Sequence, residues 1–424
     1  MKKALVMAGG GTRGAYQAGA IKAQIEMGRN DWNIVTGTSV GALNACLVVQ
    51  KDYDKLFALY DNLSVDMILN GMSPADMNLR TIFNERDAFI KELRKYVKDQ
   101  GLDISPFLSR VHELYNPDRF FSSPIDFGCI AATAKGHEGV YVTKDMMKEH
   151  GEDWLVATAS AYPAFPMRNI DGTDYVDGGY FDNCPIDFAL RLGADEVLVM
   201  DLNHSPNHPG YVGRANIRYM FPKSETGDFL DFSRERLNRL FTLGYNDAGK
   251  MFDRYKGYKY TFTLYHRPHF FDRWYVNVEL LEARIKQAGM INDRLRSDTF
   301  ITDTLKSRMQ LPYLKPQNYF EGMMDFLLDL IQAEETKVYT LKEARNLIFA
   351  SFADCAKEDF SYKPNGFSQL GTMLDQKETI ARLLHADFYP DHVFANENTV
   401  LTLYPFEKAA ADFIYMWMKE FSQE

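Results

Sequence analysis

Hydrophobic and polar positions in the first fifty residues follow two alternating patterns. Short apolar runs at Lys3–Met7 and 33–38 each end in a glycine-containing turn, as buried strands do. After each turn the apolar residues take up helical spacing, first over 14–27 and then over Val40–Gln50. Repeated strand, turn and helix predict parallel strands joined by helices.

The same patterns extend through the middle of the chain. Apolar runs at 125–133 and 196–201 predict further buried strands. The segment 205–219 is rich in Pro, Gly and Asn, which predicts a boundary or surface loop. An amphipathic helical pattern covers 227–255, and strict alternation at 258–265 predicts a half-buried strand.

From about residue 281 onward the pattern is mainly helical. Apolar stripes at 319–333 and 406–421 predict amphipathic helices. Thr340 and Glu343 have the spacing of a capping box, which predicts that another helix begins there. The chain contains no internal repeat and no low-complexity tract.

Composition narrows the class of protein. The 424 residues are 46% hydrophobic and 25% charged, which favours a soluble globular chain over a disordered one. The net charge of -10 argues against nucleic acid as the main partner. Four cysteines without a close pair exclude a disulfide scaffold and a thiolate zinc site. The apolar run at 4–8 is too short for a signal peptide, so we expect a cytoplasmic protein.

A glycine-rich loop follows the first predicted strand. Gly9, Gly11 and Gly14 match the spacing of a dinucleotide-binding fingerprint, but the next strand ends without the acidic residue that this function needs. The amides of Gly10, Gly11 and Thr12 can instead approach an anion closely at the positive end of the following helix. That anion could be a phosphate or the oxyanion of a tetrahedral intermediate. A plain turn is the simpler alternative, and it needs fewer glycines.

The second predicted strand ends in a nucleophile elbow. The sequence Gly-Thr-Ser-Val-Gly, from Gly37 to Gly41, fits G-x-S-x-G and places Ser39 between a strand and a helix. A nucleophilic serine needs a base. None of the nine histidines lies in a motif, and His204 and His208 fall in a proline-rich loop.

Asp177-Gly178-Gly179 reads by itself only as a turn. With the glycine loop and the serine elbow, however, the chain resembles the patatin-like phospholipase family. Context supports the resemblance: Pro-Ala-Phe-Pro precedes the aspartate, and Asn-x-Pro-Ile and Gly-Ala-Asp follow it. The similarity covers roughly 1–205. Residue 8 is Ala where the family often has Asp or Ser, which should not disturb a loop that acts through its amides.

The resemblance implies an α/β three-layer sandwich with a mainly parallel central sheet, followed by a mainly helical C-terminal region. It implies a lipid ester substrate and a dyad in which Asp177 accepts the proton of Ser39, with no cofactor and no metal. The oxyanion donors would be the amides of Gly10, Gly11 and Thr12. The supporting motif residues are Gly9, Arg13, Gly14, Gly37, Gly41, Gly178 and Gly179. Arg13 would steady the loop, meet a lipid phosphate or form an internal ion pair.

The chain is predicted to divide into three parts. These are a catalytic core at 1–205, a basic and aromatic extension packing on the core at 206–280, and a mainly helical region at 281–424. Within 205–274, twelve Lys and Arg stand against seven Asp and Glu, a net of +5. Ordinary solvated charges are the simplest explanation, and peripheral membrane contact is the next. The helical region could cover the site, form a homodimer or bind another partner.

Two alternatives remain from the sequence. The first is an α/β-hydrolase esterase with a triad of Ser39, Asp177 and either His204 or His208. In an α/β-hydrolase the nucleophile elbow usually follows several strands, whereas Ser39 follows the second predicted strand. The other alternative is a non-catalytic lipid- or protein-binding module that uses the glycine loop.

Overall fold

The computed structural model describes residues 1–70, 102–287, 299–311, 314–360, 375–392, 395 and 397–422. The chain divides into two compact units, Met1–Phe252 and Asp253–Glu424. The three-part division made from the sequence stays a prediction.

An eight-stranded sheet forms the centre of the first unit. Four strand pairs, β1 with β2, β1 with β7, β2 with β3 and β7 with β8, are parallel, whereas β4, β5 and β6 pair antiparallel. Hydrogen-bonded neighbours follow the order β5-β6-β3-β2-β1-β7-β8, in which β6 and β2 pair with successive parts of one edge of β3, and β4 pairs with its other edge. The strands are β1 Lys3–Met7, β2 Ile34–Thr38, β3 Asp126–Thr133, β4 Gly139–Thr143, β5 Arg168–Ile170, β6 Thr173–Asp177, β7 Glu196–Met200 and β8 Ile217–Met220.

Helices cover both faces of this sheet. Successive residues of β1 enter different hydrophobic clusters: Leu5 packs with the residues of α1 and α2, and Val6 packs with Ile186 and Ala189 of α7. This alternation makes the unit a three-layer sandwich, because successive strand side chains point to opposite faces. The helices are α1 Gly14–Glu26, α2 Val40–Gln50, α3 Tyr53–Asn62, α4 Ser105–Leu114, α5 Pro117–Ser122, α6 Met147–Thr158, α7 Ile186–Arg191 and α8 Arg234–Met251.

The long helix α8 packs directly on α1. The two backbones approach at Gly19 and Gly244, where an added Cβ would lie 1.8 Å from the Phe241 carbonyl oxygen and 1.9 Å from that of Tyr16. This part of the predicted 206–280 extension therefore belongs to the first unit and buries its apolar face there.

The predicted fold class is confirmed, with two local errors in the middle of the chain. The end of the loop predicted at 205–219 instead belongs to β8, Ile217–Met220, because Ile217 and Tyr219 bury their side chains against the sheet. The half-buried strand predicted at 258–265 shrinks to Thr261–Phe262. Its alternation fails at Leu264, which is 62% exposed.

The second unit is mainly helical, as predicted for this part of the chain. Thr340 begins a helix as predicted, since its Oγ1 accepts the Glu343 amide at 3.2 Å and its own amide donates to Glu343 Oε2 at 2.8 Å. A short parallel pair, β9 Thr261–Phe262 and β10 Val338–Tyr339, accompanies the helices. The helices are α9 Phe270–Gln287, α10 Phe300–Met309, α11 Pro316–Leu330, α12 Leu341–Phe352, α13 Gln376–Phe388, α14 Glu397–Leu403 and α15 Pro405–Phe421.

Aromatic residues fill the core of the second unit. Phe270, Phe271 and Trp274, which the sequence suggested for a basic and aromatic surface, are all at most 1% exposed. Phe270 stacks on Trp417 with ring centroids 5.3 Å apart. These three rings therefore serve packing and are not available to an outside surface.

The length and hydropathy of the helices and the state of the cysteines bear on the class of protein. In the ranges given above, no helix is both long and apolar enough to cross a bilayer. The cysteines are free and buried.

Candidate active site

Ser39 lies on a tight turn between β2 and α2. Its φ of 53° and ψ of -129° place a non-glycine residue in a strained backbone region, as in a nucleophile elbow. The flanking glycines let strand and helix approach. An added Cβ on Gly37 would lie 2.4 Å from the Gly41 carbonyl oxygen, and one on Gly41 would lie 2.3 Å from that of Met7. The predicted elbow geometry is therefore present at the carboxyl end of β2.

A hydroxyl from α6 supports the elbow. The Ser39 amide donates to Thr158 Oγ1 at 3.1 Å, and that hydroxyl donates to the Ile130 carbonyl oxygen at 2.5 Å. Thr158 is fully buried, so this relay ties the serine backbone to β3.

Strand register brings Asp177 to the serine. Because β4 pairs with Ala131 on one edge of β3, β6 must use the other edge, which is the edge that β2 occupies. Thr38 pairs with Ile130 on that edge, and Asp177 pairs with the next residue, Ala131. Gly178 makes this junction possible, since an added Cβ would lie 2.0 Å from the Ile130 carbonyl oxygen. The ends of β2 and β6 therefore meet at Ser39 and Asp177.

The Asp177 carboxyl is buried and hydrogen-bonded. It is 8% exposed, its Oδ1 accepts the Gly179 amide at 2.7 Å, and the Ser39 side chain lies close enough to influence its pKa. Burial raises the pKa of Asp177 to about 6, although the Gly179 amide and the Ser39 side chain act in the opposite direction. Such a carboxylate is charged at neutral pH and is a stronger proton acceptor than an exposed aspartate.

The glycine loop lies at the end of β1, the neighbour of β2 in the sheet. Gly11 has a φ of 57°, and an added Cβ there would lie 2.2 Å from the Phe229 carbonyl oxygen. That oxygen accepts the Thr12 amide at 2.8 Å. Among the described residues, the Gly10 and Gly11 amides have no hydrogen-bond partner. Of the three predicted oxyanion donors, these two are thus available and Thr12 is engaged.

Several long-range contacts hold the loop in place. The Gly9 amide donates to the Asn183 carbonyl oxygen at 2.9 Å, and Asn183 Nδ2 donates to the Gly9 carbonyl oxygen at 3.1 Å. Arg13 Nη1 donates to Asn203 Oδ1 at 2.9 Å, and its Nε donates to the Gly227 carbonyl oxygen at 3.0 Å. These bonds support the first of the roles considered for Arg13, which is to steady the loop.

Asp201, fully buried at the end of β7, organises the segment that carries Asn203. Its carboxylate accepts the Asn203 amide at 3.2 Å, the Asn207 amide at 2.8 Å and the Tyr219 hydroxyl at 2.6 Å. Sequence reasoning missed Asn183, Asn203 and Asp201. Only Asn183 gave a signal, as part of the Asn-x-Pro-Ile context.

A cavity of about 570 Å³ opens at these residues, and its lining includes Ser39, Asp177, Gly10 and Gly11. Its size is that of a typical small-molecule site. Most of the remaining wall is apolar and includes Leu43, Leu59, Leu63, Leu69, Phe107, Val111, Leu114 and Phe165.

No histidine is among the described residues that line this cavity. His204 Nδ1 lies 3.2 Å from the Pro222 carbonyl oxygen, and His208 Nε2 lies 3.0 Å from Asp182 Oδ1. Neither ring is placed as the middle member of a triad with Ser39 and Asp177. In the part of the chain that the structure describes, no three His, Cys, Asp or Glu side chains group as metal ligands.

The sequence of the chain is similar to those of patatin-like phospholipases. Residues 5–190 match the family model of patatin-like phospholipases. A patatin-like phospholipase domain-containing protein of Caenorhabditis elegans is 26% identical over 220 residues, which cover 48% of this chain and 17% of that protein. Patatin-like phospholipase domain-containing protein 7 of Rattus norvegicus is 26% identical over 208 residues, covering 47% of this chain and 13% of that protein. The chain thus spans less than a fifth of the length of these relatives.

Among solved structures, VipD from Legionella pneumophila is 13% identical, with a TM-score of 0.38. That alignment covers 98% of this chain and 90% of VipD.

Proposed function

We propose that the chain, whose residues 5–190 match the family model of patatin-like phospholipases, is a serine acyl hydrolase. Its substrates would be carboxylic esters of lipids: phospholipids, lysophospholipids or acylglycerols. The observation that carries the proposal is the buried Asp177 carboxyl, which strand pairing places beside the elbow serine in the wall of an apolar cavity.

Acylation begins with proton transfer between the two side chains. Asp177 accepts the proton of the Ser39 hydroxyl while Oγ attacks the ester carbonyl carbon. The Gly10 and Gly11 amides donate to the oxygen that becomes negatively charged, and losing one such donor costs about 3 kcal/mol of transition-state stabilisation. When the tetrahedral intermediate collapses, the protonated Asp177 gives its proton to the departing alcohol. Ser39 is left as an acyl ester.

Deacylation reverses the roles with water as the nucleophile. Asp177 takes a proton from the water as it attacks the acyl carbonyl carbon, and the same amides hold the oxyanion. Collapse of the second intermediate releases the fatty acid and returns the proton to Ser39 Oγ. The apolar wall of the cavity would accommodate the acyl chain, and each buried methylene contributes about 0.8 kcal/mol to binding.

Lipid hydrolysis profiled by mass spectrometry tests this proposal. Wild-type protein should release fatty acid and react with a fluorophosphonate probe, whereas Ser39→Ala should do neither. Ser109→Ala, which removes an exposed hydroxyl from α4, is the matched control and should behave as the wild type. If Ser39 is not labelled and Ser39→Ala hydrolyses lipid at the wild-type rate, the hydrolase proposal fails and the binding-module alternative takes its place.

Contact with a lipid surface is a second part of the proposal. Tyr162, Tyr180 and Phe229 line the cavity, yet they are 37%, 46% and 37% exposed, so they lie where the cavity meets solvent. Rings at a cavity mouth suit the headgroup region of a bilayer. Phe229→Ser should therefore reduce co-sedimentation with vesicles of phosphatidylcholine and phosphatidylglycerol. Phe421→Ser, at a ring of similar exposure in the second unit, is the control, and equal binding by both variants would contradict this surface.

A further inference from the structure

One face of α4 forms part of the cavity wall. The residues it contributes are Phe107, Arg110, Val111 and Leu114, which have the i, i+3, i+4, i+7 spacing of a single helical face. Three of them are apolar, as expected for a wall that contacts acyl chains. Arg110 occupies a position in this stripe where the pattern calls for another apolar residue.

The hydrogen bonding of Arg110 is incomplete. Its Nε is buried and has no partner among the residues that the structure describes, while Nη1 donates to Glu113 Oε2 at 2.6 Å on the solvent side. Glu113 is 59% exposed, and a surface pair of this kind contributes little stability. A buried N–H without an acceptor, by contrast, is costly, because folding removes its hydrogen bond to water and supplies nothing in return. An acceptor brought by a ligand would remove that penalty.

The cavity has a second cationic lining residue, Arg13, which differs in this respect. Its guanidinium makes three hydrogen bonds, two to the Gly227 carbonyl oxygen and one to Asn203. Arg13 is therefore committed to the loop, whereas Arg110 has a buried donor without a partner among the described residues.

We propose that Arg110 is a substrate-binding residue that pairs with the phosphate of a lipid headgroup. This inference rests on the hydrolase function proposed above and deepens it. A guanidinium forms charge-assisted hydrogen bonds to phosphate oxygens and is less strongly hydrated than an ammonium, which suits a site beside apolar walls. The cavity then favours phosphate-bearing lipids over acylglycerols with the same acyl chains. The carboxylate of a released fatty acid has related chemistry, and the experiment separates the two sources.

The test compares substrates within each protein variant. Phosphatidylcholine and diacylglycerol with identical acyl chains are presented in mixed micelles of a nonionic detergent, and the ratio of their kcat/KM values is measured. Arg110→Met, which keeps side-chain length and removes the charge, should lower this ratio by about tenfold or more. Arg110→Lys should retain part of the preference, and Glu113→Gln should keep the wild-type ratio. Because each ratio is internal to one variant, partial loss of folded protein does not change it.

Failure of the role proposed for Arg110 can be told apart from failure of the proposed hydrolase function. If the wild type hydrolyses neither lipid, this inference falls, and the hydrolase proposal falls as well if Ser39 also takes no fluorophosphonate label. If the wild type hydrolyses both and Arg110→Met has an unchanged ratio, only the role of Arg110 is overturned. Relief of inhibition by added oleate in Arg110→Met, with the ratio unchanged, would assign the residue to the product carboxylate and also overturn the inference.

Discussion

Replacing Asp177 by Asn should abolish hydrolysis and make the folded chain more stable at alkaline pH. Burial raises the pKa of Asp177 from an ordinary value of 3.8 to about 6. The folded state therefore holds this proton more tightly than the unfolded state does. The protonated carboxyl therefore stabilises the folded state below about pH 4. This stabilisation is lost as the pH rises through about 6.

The size of the effect follows from the pKa difference. A shift from 3.8 to about 6 corresponds to about 3 kcal/mol against folding once the carboxylate is charged. An asparagine has nearly the same shape, and its Oδ1 can still accept the Gly179 amide, so it avoids the cost of a buried charge. The 3 kcal/mol is an upper bound, because the amide carries a smaller desolvation cost of its own.

Thermal unfolding followed between pH 4 and pH 8 measures this difference. Asp177→Asn should melt at roughly 5–10 °C above the wild type at pH 8, and the two should converge near pH 4. The exposed Asp61→Asn is the matched control and should show no such trend. A difference that is independent of pH, or one that grows as the pH falls, would refute burial as the cause of the raised proton affinity.

Four further outcomes follow from the same geometry. In the wild type, kcat/KM should fall about tenfold per unit as the pH drops below about 6, because the base becomes protonated; a flat profile from pH 5 to pH 8 would argue against Asp177. The double variant His204→Ala, His208→Ala should keep its hydrolytic activity, and an inactive but folded double variant would support a triad. Gly41→Ala should lose folded protein, because its Cβ has no room beside β1, whereas Gly210→Ala, with open space around it, should express as the wild type does. Thr340→Ala should cost about 1 kcal/mol of helix stability in the second unit, seen as a lower melting temperature.

The parts of the site that sequence reasoning could reach are those encoded locally. The elbow at Ser39 and the glycine loop each lie within a few residues, where turn chemistry and strand pattern are legible. Asp177 is different, because Asp-Gly-Gly is locally only a turn. Its place depends on which edge of β3 the strand β6 occupies, and that pairing leaves no periodic trace, so only the family resemblance pointed to it.

The supporting residues were out of reach for a related reason. Asn203 acts on Arg13, which is distant along the chain, and Asp201 binds Tyr219 in addition to two nearby amides; the long-range contacts follow no spacing rule. Strand β8 was missed because the polar, proline-containing stretch before Ile217 dominates the local composition. Arg110, in contrast, could have been noticed as the charged residue within an apolar helical stripe.

The shared edge of β3 has a consequence for how this domain tolerates change. Ser39 and Asp177 are set side by side because β2 and β6 end at adjacent rungs of one hydrogen-bonded ladder. Of the chain that runs between them, β3 supplies that ladder and Thr158 supports the elbow. Loops and helices that contribute to neither can therefore be lengthened, shortened or exchanged with little effect on the distance between nucleophile and base. Exchanging the segments that line the cavity would then change which acyl chains the protein prefers, while Ser39 and Asp177 stay as they are.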